Sequence, residues 1–146
     1  MRPSAAVLLL SIALAVGCED ASPAKPTGTN LGFVIRGQTE FMVCGASTSQ
    51  ATCLVTLTAR VELVELEGKT WQVVSVKGTV RDSRSGQDLN AVPGTLSSED
   101  VEVLAGSNVL RPNGRLTIPL QLRFVSGSEP GVSHELIVAV VGNAIS

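Results

Sequence analysis

Apolar and polar residues alternate along much of this chain, most regularly in two segments. Every second residue is apolar from residue 53 to residue 63, and again from residue 116 to residue 124. A period of two is typical of a β-strand that buries one face and exposes the other. Each segment is therefore predicted to be a half-buried strand. The inward residues would be Cys53, Val55, Leu57, Ala59, Val61 and Leu63 in the first, and Leu116, Ile118, Leu120, Leu122 and Phe124 in the second.

Two details interrupt this regular pattern. After Leu63 the apolar positions move to Val64 and Leu66, which places Glu65 on the opposite side and predicts a bulge or bend near residues 63–64. Pro119 lies on the polar side of the second segment and has no backbone N–H to donate. Because a proline interrupts the ladder of a central strand, it predicts an edge position or a bulge.

The remaining apolar runs are short and are separated by turn residues. In the run from residue 71 to residue 80, Val74, Val76 and Val80 are predicted to share one face. No segment has the period of a credible amphipathic helix. The pattern therefore predicts an all-β fold, an antiparallel β-sandwich of about seven to eight strands, with a small β-barrel as the alternative. The other predicted strands lie at 31–36, 41–44, 89–92 and 134–141, with turns at 68–69, 82–86, 93–94, 111–114 and 126–131.

The first eighteen residues have a different composition from the rest of the chain. Arg2 is followed by an apolar run from residue 5 to residue 16, too short to span a bilayer, and then by Gly17 and Cys18. This segment resembles a bacterial lipoprotein signal with a lipobox. The resemblance implies cleavage before Cys18 and lipid attachment to that cysteine. A conventional secretory signal cleaved after Ala15 and an uncleaved membrane anchor are the alternatives.

The domain boundaries follow from this signal. Residues 1–17 are the predicted signal peptide, and residues 18–30 are the lipidated cysteine and a flexible tether that contains two prolines. Residues 31–146 form the predicted sandwich domain. Their strand pattern is similar to the immunoglobulin-like sandwiches that are common in bacterial surface lipoproteins. Lipid on Cys18 would attach the domain to a membrane. In some bacteria, Asp directly after the lipidated cysteine is the usual signal for retention at the inner membrane. Glu19 occupies that position here, so the outer membrane is slightly favoured.

The chain contains three cysteines. If Cys18 carries lipid, Cys44 and Cys53 remain as an even pair, and in an exported protein such a pair is expected to form a disulfide. A redox or metal site is the alternative. Redox motifs favour two intervening residues, whereas eight separate these cysteines, and no further metal ligands cluster in the nearby sequence.

Other polar residues give weak signals for chemistry. His134 is the single histidine, and we expect a strand-start histidine near solvent, with neither a catalytic nor a metal-binding role. Residues 82–88 faintly resemble a calcium loop, but Arg84 stands where an oxygen ligand is needed, so we expect a turn. The acidic group formed by Glu99, Asp100 and Glu102, which follow Ser98, is expected to lie in a solvated loop; capping of a short turn and neutralisation of a cation are the alternatives. No catalytic residue, metal site or cofactor is predicted.

Charge and composition narrow the function without assigning it. Without residues 1–17 the chain has 10 basic and 13 acidic side chains, and they form no basic block, so nucleic acid is a poor candidate partner. The expected function is a non-catalytic binding or structural module of the cell envelope. It is expected to attach to the membrane through Cys18 and to contact another envelope protein. The alternative is an envelope protein that binds a small ligand or calcium.

Overall fold

The computed structural model describes residues 28–45, 52–127 and 133–145 of the chain. The predicted signal peptide, Cys18 and the tether as far as residue 27 lie outside the described residues. The described residues form nine strands and one helix: β1 (Thr29–Asn30), β2 (Val34–Cys44), β3 (Thr52–Val64), β4 (Trp71–Asp82), β5 (Asp88–Leu89), β6 (Thr95–Ser97), α1 (Ser98–Ala105), β7 (Val109–Leu110), β8 (Arg115–Gly127) and β9 (His134–Ala144).

The strands form two antiparallel sheets that enclose one hydrophobic core. The three-stranded sheet has the order β2-β3-β8, and the six-stranded sheet has the order β1-β9-β4, with β5, β6 and β7 pairing in turn along the other side of β4. The predicted all-β antiparallel fold class is therefore confirmed. The fully buried core side chains include Val55, Leu57, Val61 and Leu63 of β3, Val73, Val76 and Val80 of β4, Ile118 and Leu122 of β8, and Val101 of α1.

The pairing of β3 with β8 is the most regular part of the structure. Thirteen consecutive residue pairs join them, from Thr52 opposite Gly127 to Val64 opposite Arg115. The alternating residues predicted to face inward are buried on both strands, so the alternation correctly predicted their orientation. β8 is an edge strand of this sheet, as Pro119 predicted. An isolated bridge from Val92 to Arg123 covers part of its outer edge.

The end of β3 differs from the prediction. The alternation continues without a bulge, so Glu65 points inward and is only 3% exposed, whereas Val64 and Leu66 face solvent. The Glu65 carboxylate accepts backbone N–H groups from Glu67, Gly68 and Asn113 at 2.8–3.1 Å. A buried carboxylate is tolerated when hydrogen bonds satisfy it. These bonds hold the turn after β3 against the turn before β8.

The structure has bulges at two other places. The pairing of β2 with β3 shifts between Arg36 and Thr39, and the pairing of β4 with β9 shifts between Val73 and Ser75. The second shift turns Val73, rather than the predicted Val74, into the core. Val73 and Val74 are adjacent and equally apolar, so alternation in the sequence cannot show which of the two faces the core.

Helix α1 contradicts the expectation that residues 98–102 form a loop and that the chain has no helix. Ser97 caps the helix: its hydroxyl accepts the Asp100 N–H, and the Asp100 carboxylate accepts the Ser97 N–H. Gly106 ends the helix in the left-handed conformation, with φ 84°. Val101 is the buried residue of α1. Because only one of the eight helix residues is buried, the sequence has no helical periodicity here. The Ser97–Asp100 pair is nevertheless a recognisable sequence signal for the start of a helix.

The folded domain begins before its predicted boundary. Thr29 and Asn30, which the sequence analysis assigned to the tether, pair with Gly142 and Val141 of β9 as strand β1. The Leu31 N–H then donates to the Val140 carbonyl before the chain crosses to the other sheet. Within the described ranges, no helix has the length and apolar character needed to span a membrane.

The Glu65 carboxylate is expected to make stability depend on acid pH. Burial alone would raise its pKa, but the backbone N–H groups of Asn113, Lys69, Glu67 and Gly68 lower the pKa from 4.5 to about 2. The ionised form therefore stabilises the fold above pH 4.5, and this contribution is lost as the pH falls toward 2. In Glu65→Gln, the free energy of unfolding should be lower at pH 7, and its difference from wild type should shrink as the pH falls from 5 to 2.

Urea unfolding at pH 7, 5, 4, 3 and 2 measures this difference directly. Glu67→Gln is the matched control, because the Glu67 side chain is exposed and should leave a small, nearly constant difference. A constant difference for Glu65→Gln across the whole range would contradict the assignment.

Candidate functional site

Three polar side chains from distant parts of the sequence meet at one end of the sandwich. The Ser126 Oγ lies 3.1 Å from the His134 Nε2, and the His134 Nδ1 lies 3.0 Å from the Glu40 Oε1. A carboxylate accepts hydrogen bonds, so the Nδ1–H donates to Glu40, and in the neutral ring the Nε2 accepts the Ser126 hydroxyl proton. We call these three residues the Glu40–His134–Ser126 relay.

Strand register brings the relay together. Ser126 is the last inward position of β8 and lies opposite Cys53, while Glu40 of β2 lies opposite the buried Leu57. His134 begins β9 in the other sheet. The relay therefore joins β2 to the opposite sheet. β2 is an edge strand, since β3 is the one described strand with which it pairs.

The imidazole is the most buried part of the relay. The His134 side chain is 2% exposed, and its ring packs edge-on against Phe124 with centroids 4.9 Å apart. The expectation of a histidine near solvent is therefore wrong for the side chain, although His134 does begin a strand. The error arose because Glu40, its partner, is 94 positions away in the sequence.

The order serine, imidazole, carboxylate is also that of a hydrolase triad, in which the acid is buried and the serine faces the substrate. Here the exposures are reversed. The Glu40 carboxylate is the more open end, at 28%, whereas Ser126 faces inward and is 7% exposed. A nucleophile must reach its substrate, so this geometry favours a structural role in which the relay positions β2 against β9.

The disulfide lies beside the relay. Cys44 and Cys53 are opposite each other in the β2–β3 register and are joined by a disulfide, as the sequence predicted. Cys53 is buried next to Ser126, which it opposes across β3 and β8. Most of the loop that the disulfide closes, residues 46–51, lies outside the described residues. Together, the disulfide and the relay fix the end of β2.

The outer face of the three-stranded sheet carries exposed apolar residues at this same end. Val43, Leu54 and Val125 lie in one row across β2, β3 and β8, and Phe41 is two residues before Val43 on the same face. All four are between 50% and 68% exposed. We call them the apolar cluster. Solvated faces of antiparallel sheets are normally polar, so a contiguous exposed group of this kind indicates a contact surface.

Arginines occupy much of the remaining outer face. Arg36, Arg60, Arg115 and Arg123 point outward, and Glu62 is the single acidic residue among the outward positions of these three strands. The Arg36 Nε lies 2.8 Å from the Glu62 Oε1. For the other three arginines, no side-chain ion pair is found within the described residues. No local pattern in the sequence predicts this grouping, because the four arginines come from three strands.

The described residues bring together no cluster of three or more acidic, histidine or cysteine side chains able to hold a metal ion. In the segment that faintly resembled a calcium loop, the Asp82 Oδ1 accepts the N–H groups of Arg84 and Ser85 at 2.8 and 3.2 Å. Gly86 follows with a positive φ of 74°. This segment is the predicted turn. The other acidic group, residues 98–102, forms the start of α1.

Comparisons of this chain with protein-family models, with curated proteins and with solved structures find no match.

The relay is expected to contribute measurably to stability. His134→Ala removes the hydrogen bonds of the imidazole to Glu40 and Ser126, and the free energy of unfolding should fall by about 1–3 kcal/mol. Ser126→Ala should be less costly after His134→Ala than alone, which gives a coupling free energy of at least about 0.5 kcal/mol in a double-mutant cycle. Urea unfolding of the four proteins measures both values.

Glu135→Ala is the control, because Glu135 is exposed beside His134 and its loss should change stability by no more than about 0.5 kcal/mol. Strictly additive effects of His134→Ala and Ser126→Ala would show that their contact contributes nothing to the fold.

Proposed function

We propose that this protein is a lipid-anchored, non-catalytic binding module of a bacterial cell envelope. Cys18 would carry the lipid, and the immunoglobulin-like sandwich would present the binding surface. The observation that carries the binding function is the apolar cluster, four contiguous side chains that are each at least half exposed at one end of the sheet face. Burying such side chains against a partner is favourable by roughly 25 cal/mol per Å² of apolar surface.

The surroundings of the apolar cluster support a binding function. Phe41 and Val43 belong to β2. The disulfide joins this strand to β3, and the relay joins it to β9 of the opposite sheet. A surface that is rigid before binding loses less conformational entropy when a partner docks. Toward the middle of the same face the row Thr39, Thr58 and Gln121 is polar, and it separates the apolar cluster from the exposed Val34 and Val64 at the other end.

The signal resemblance supports the anchor. The resemblance to a bacterial lipoprotein implies three acyl chains on Cys18, and these would hold the protein at a membrane far more firmly than one chain, since each buried methylene contributes roughly 0.8 kcal/mol. Wild-type full-length protein should fractionate with membranes after expression in a bacterial host, and Cys18→Ala should not. Recovery of Cys18→Ala in the membrane fraction at the wild-type level would contradict lipid anchoring at this cysteine.

Photo-cross-linking in the same cells tests the binding surface. In full-length protein, p-benzoylphenylalanine at Phe41 should give a discrete adduct that Val125→Asp abolishes. The same group at Val103, an exposed position on α1, is the matched control and should give no such adduct. Identical adduct patterns from positions 41 and 103 would show that the apolar cluster is not a specific contact surface.

The proposal that the protein is non-catalytic can be tested at Ser126, the residue that would be the nucleophile of a hydrolase triad. A fluorophosphonate probe, which reacts with activated serines, should leave Ser126 unmodified because this residue is buried on the inward face of β8. Intact-mass spectrometry, followed by peptide mapping, gives the measurement. Labelling of Ser126 that His134→Ala abolishes would instead identify the relay as a hydrolase triad.

A further inference from the structure

We propose that the outer face of the three-stranded sheet binds an acidic protein surface, with the apolar cluster at one end of the contact and the arginines along the rest of the face as charged partners. This inference rests on the proposed binding function and adds the chemistry of the partner. It follows from charge, from dimensions and from the place where the chain enters the domain.

Charge separates this face from the rest of the molecule. Four arginines and one glutamate give the face a formal charge of +3, whereas the whole chain has a formal charge of −2. Arg60, Arg115 and Arg123 have no side-chain ion pair among the described residues, so their guanidinium groups are available to carboxylates of a partner. Arginine suits such contacts because its planar group binds carboxylates in a bidentate manner and is weakly hydrated.

The dimensions of the face fit a protein surface. Neighbouring strands are about 4.8 Å apart, and residues two apart along a strand are about 6.6 Å apart. Arg123 is therefore next to Val125, and Arg60 lies about 20 Å along β3 from Leu54. A small anion would contact one arginine, whereas a protein surface is large enough to contact the apolar cluster and several arginines together. Apolar residues beside arginines are a common composition of protein interfaces.

The position of the N-terminus argues against the anchoring membrane as the occupant. Thr29 and Leu31 lie beside Val64 and Glu65, at the far end of β3 from the apolar cluster. Leu54 and Val64 are ten residues apart on one strand, which is about 33 Å. The tether from a lipid on Cys18 would therefore join the domain at the end opposite the apolar cluster, which favours a contact of the cluster away from the bilayer.

A second copy of this chain is disfavoured for an electrostatic reason. Two copies stacked through this face would bring together eight arginines and two glutamates, and like charges across an interface cost several kcal/mol. An acidic surface on another protein makes the same contact with attraction instead of repulsion.

Charge reversal tests the inference in full-length, Cys18-containing protein with p-benzoylphenylalanine at Phe41. Arg60→Glu combined with Arg123→Glu should reduce the yield of the position-41 adduct roughly tenfold or more, because each reversal places like charges at the contact. Lys77→Glu combined with Arg111→Glu changes the net charge equally on other surfaces, and should keep the yield within about twofold of the unreversed protein. Peptide mapping should place the adduct on a protein segment that contains Asp or Glu residues.

Thermal unfolding of the purified variants checks that both double variants fold. If the reversed protein does not fold, Arg60→Gln with Arg123→Gln replaces it, and a threefold or greater loss of adduct, roughly half the reversal effect in free energy, is then expected.

An adduct whose yield is unchanged by the arginine variants would overturn the acidic-partner inference while leaving the binding module intact. Adducts to lipid, to nucleic acid or to a second copy of this chain would also overturn it. Absence of any adduct from position 41 would contradict the proposed binding function itself.

Discussion

The thirteen-residue register of β3 with β8 is the constraint on which the rest of the structure depends. Because side chains alternate strictly across a strand, a shift of one residue would expose every buried side chain of one strand. Burial of the inward residues of both strands therefore determines which residues face solvent. The apolar cluster and the outward arginines are exposed as a consequence of the same register that builds the core.

β2 shows why this register is not sufficient by itself. It pairs with β3, and its inward residues beyond Ile35 are Glu40, Met42 and Cys44, which bury little apolar surface. An edge strand with so little core contact needs other bonds to stay in place. The disulfide ties it to β3, and the hydrogen bond from His134 to Glu40 ties it to the opposite sheet. The surface formed by Phe41 and Val43 depends on these polar and covalent contacts.

The fold was predictable where the local sequence determines whether a residue is buried, lies at a sheet edge or forms a turn. The inward residues of β3 and β8 follow from alternation, the edge position of β8 follows from Pro119, and the turn at residues 82–86 follows from its Asp and Gly residues. Prediction failed where a contact from elsewhere changed the outcome. Glu65 is buried because backbone N–H groups from two turns donate to its carboxylate. One of these donors, the Asn113 N–H, belongs to a residue 48 positions away in the sequence.

The candidate site divides in the same way. The sequence by itself determined the all-β alternation, the cysteine pair at a hairpin end and the separate composition of the first eighteen residues, because each is a local property of side chains and spacing. The tertiary structure alone decided that His134 meets Glu40 and Ser126, and that four arginines from three strands share one face with the apolar cluster. Those groupings depend on strand register and sheet packing, which bring together residues up to 94 positions apart and leave no local signal in the chain.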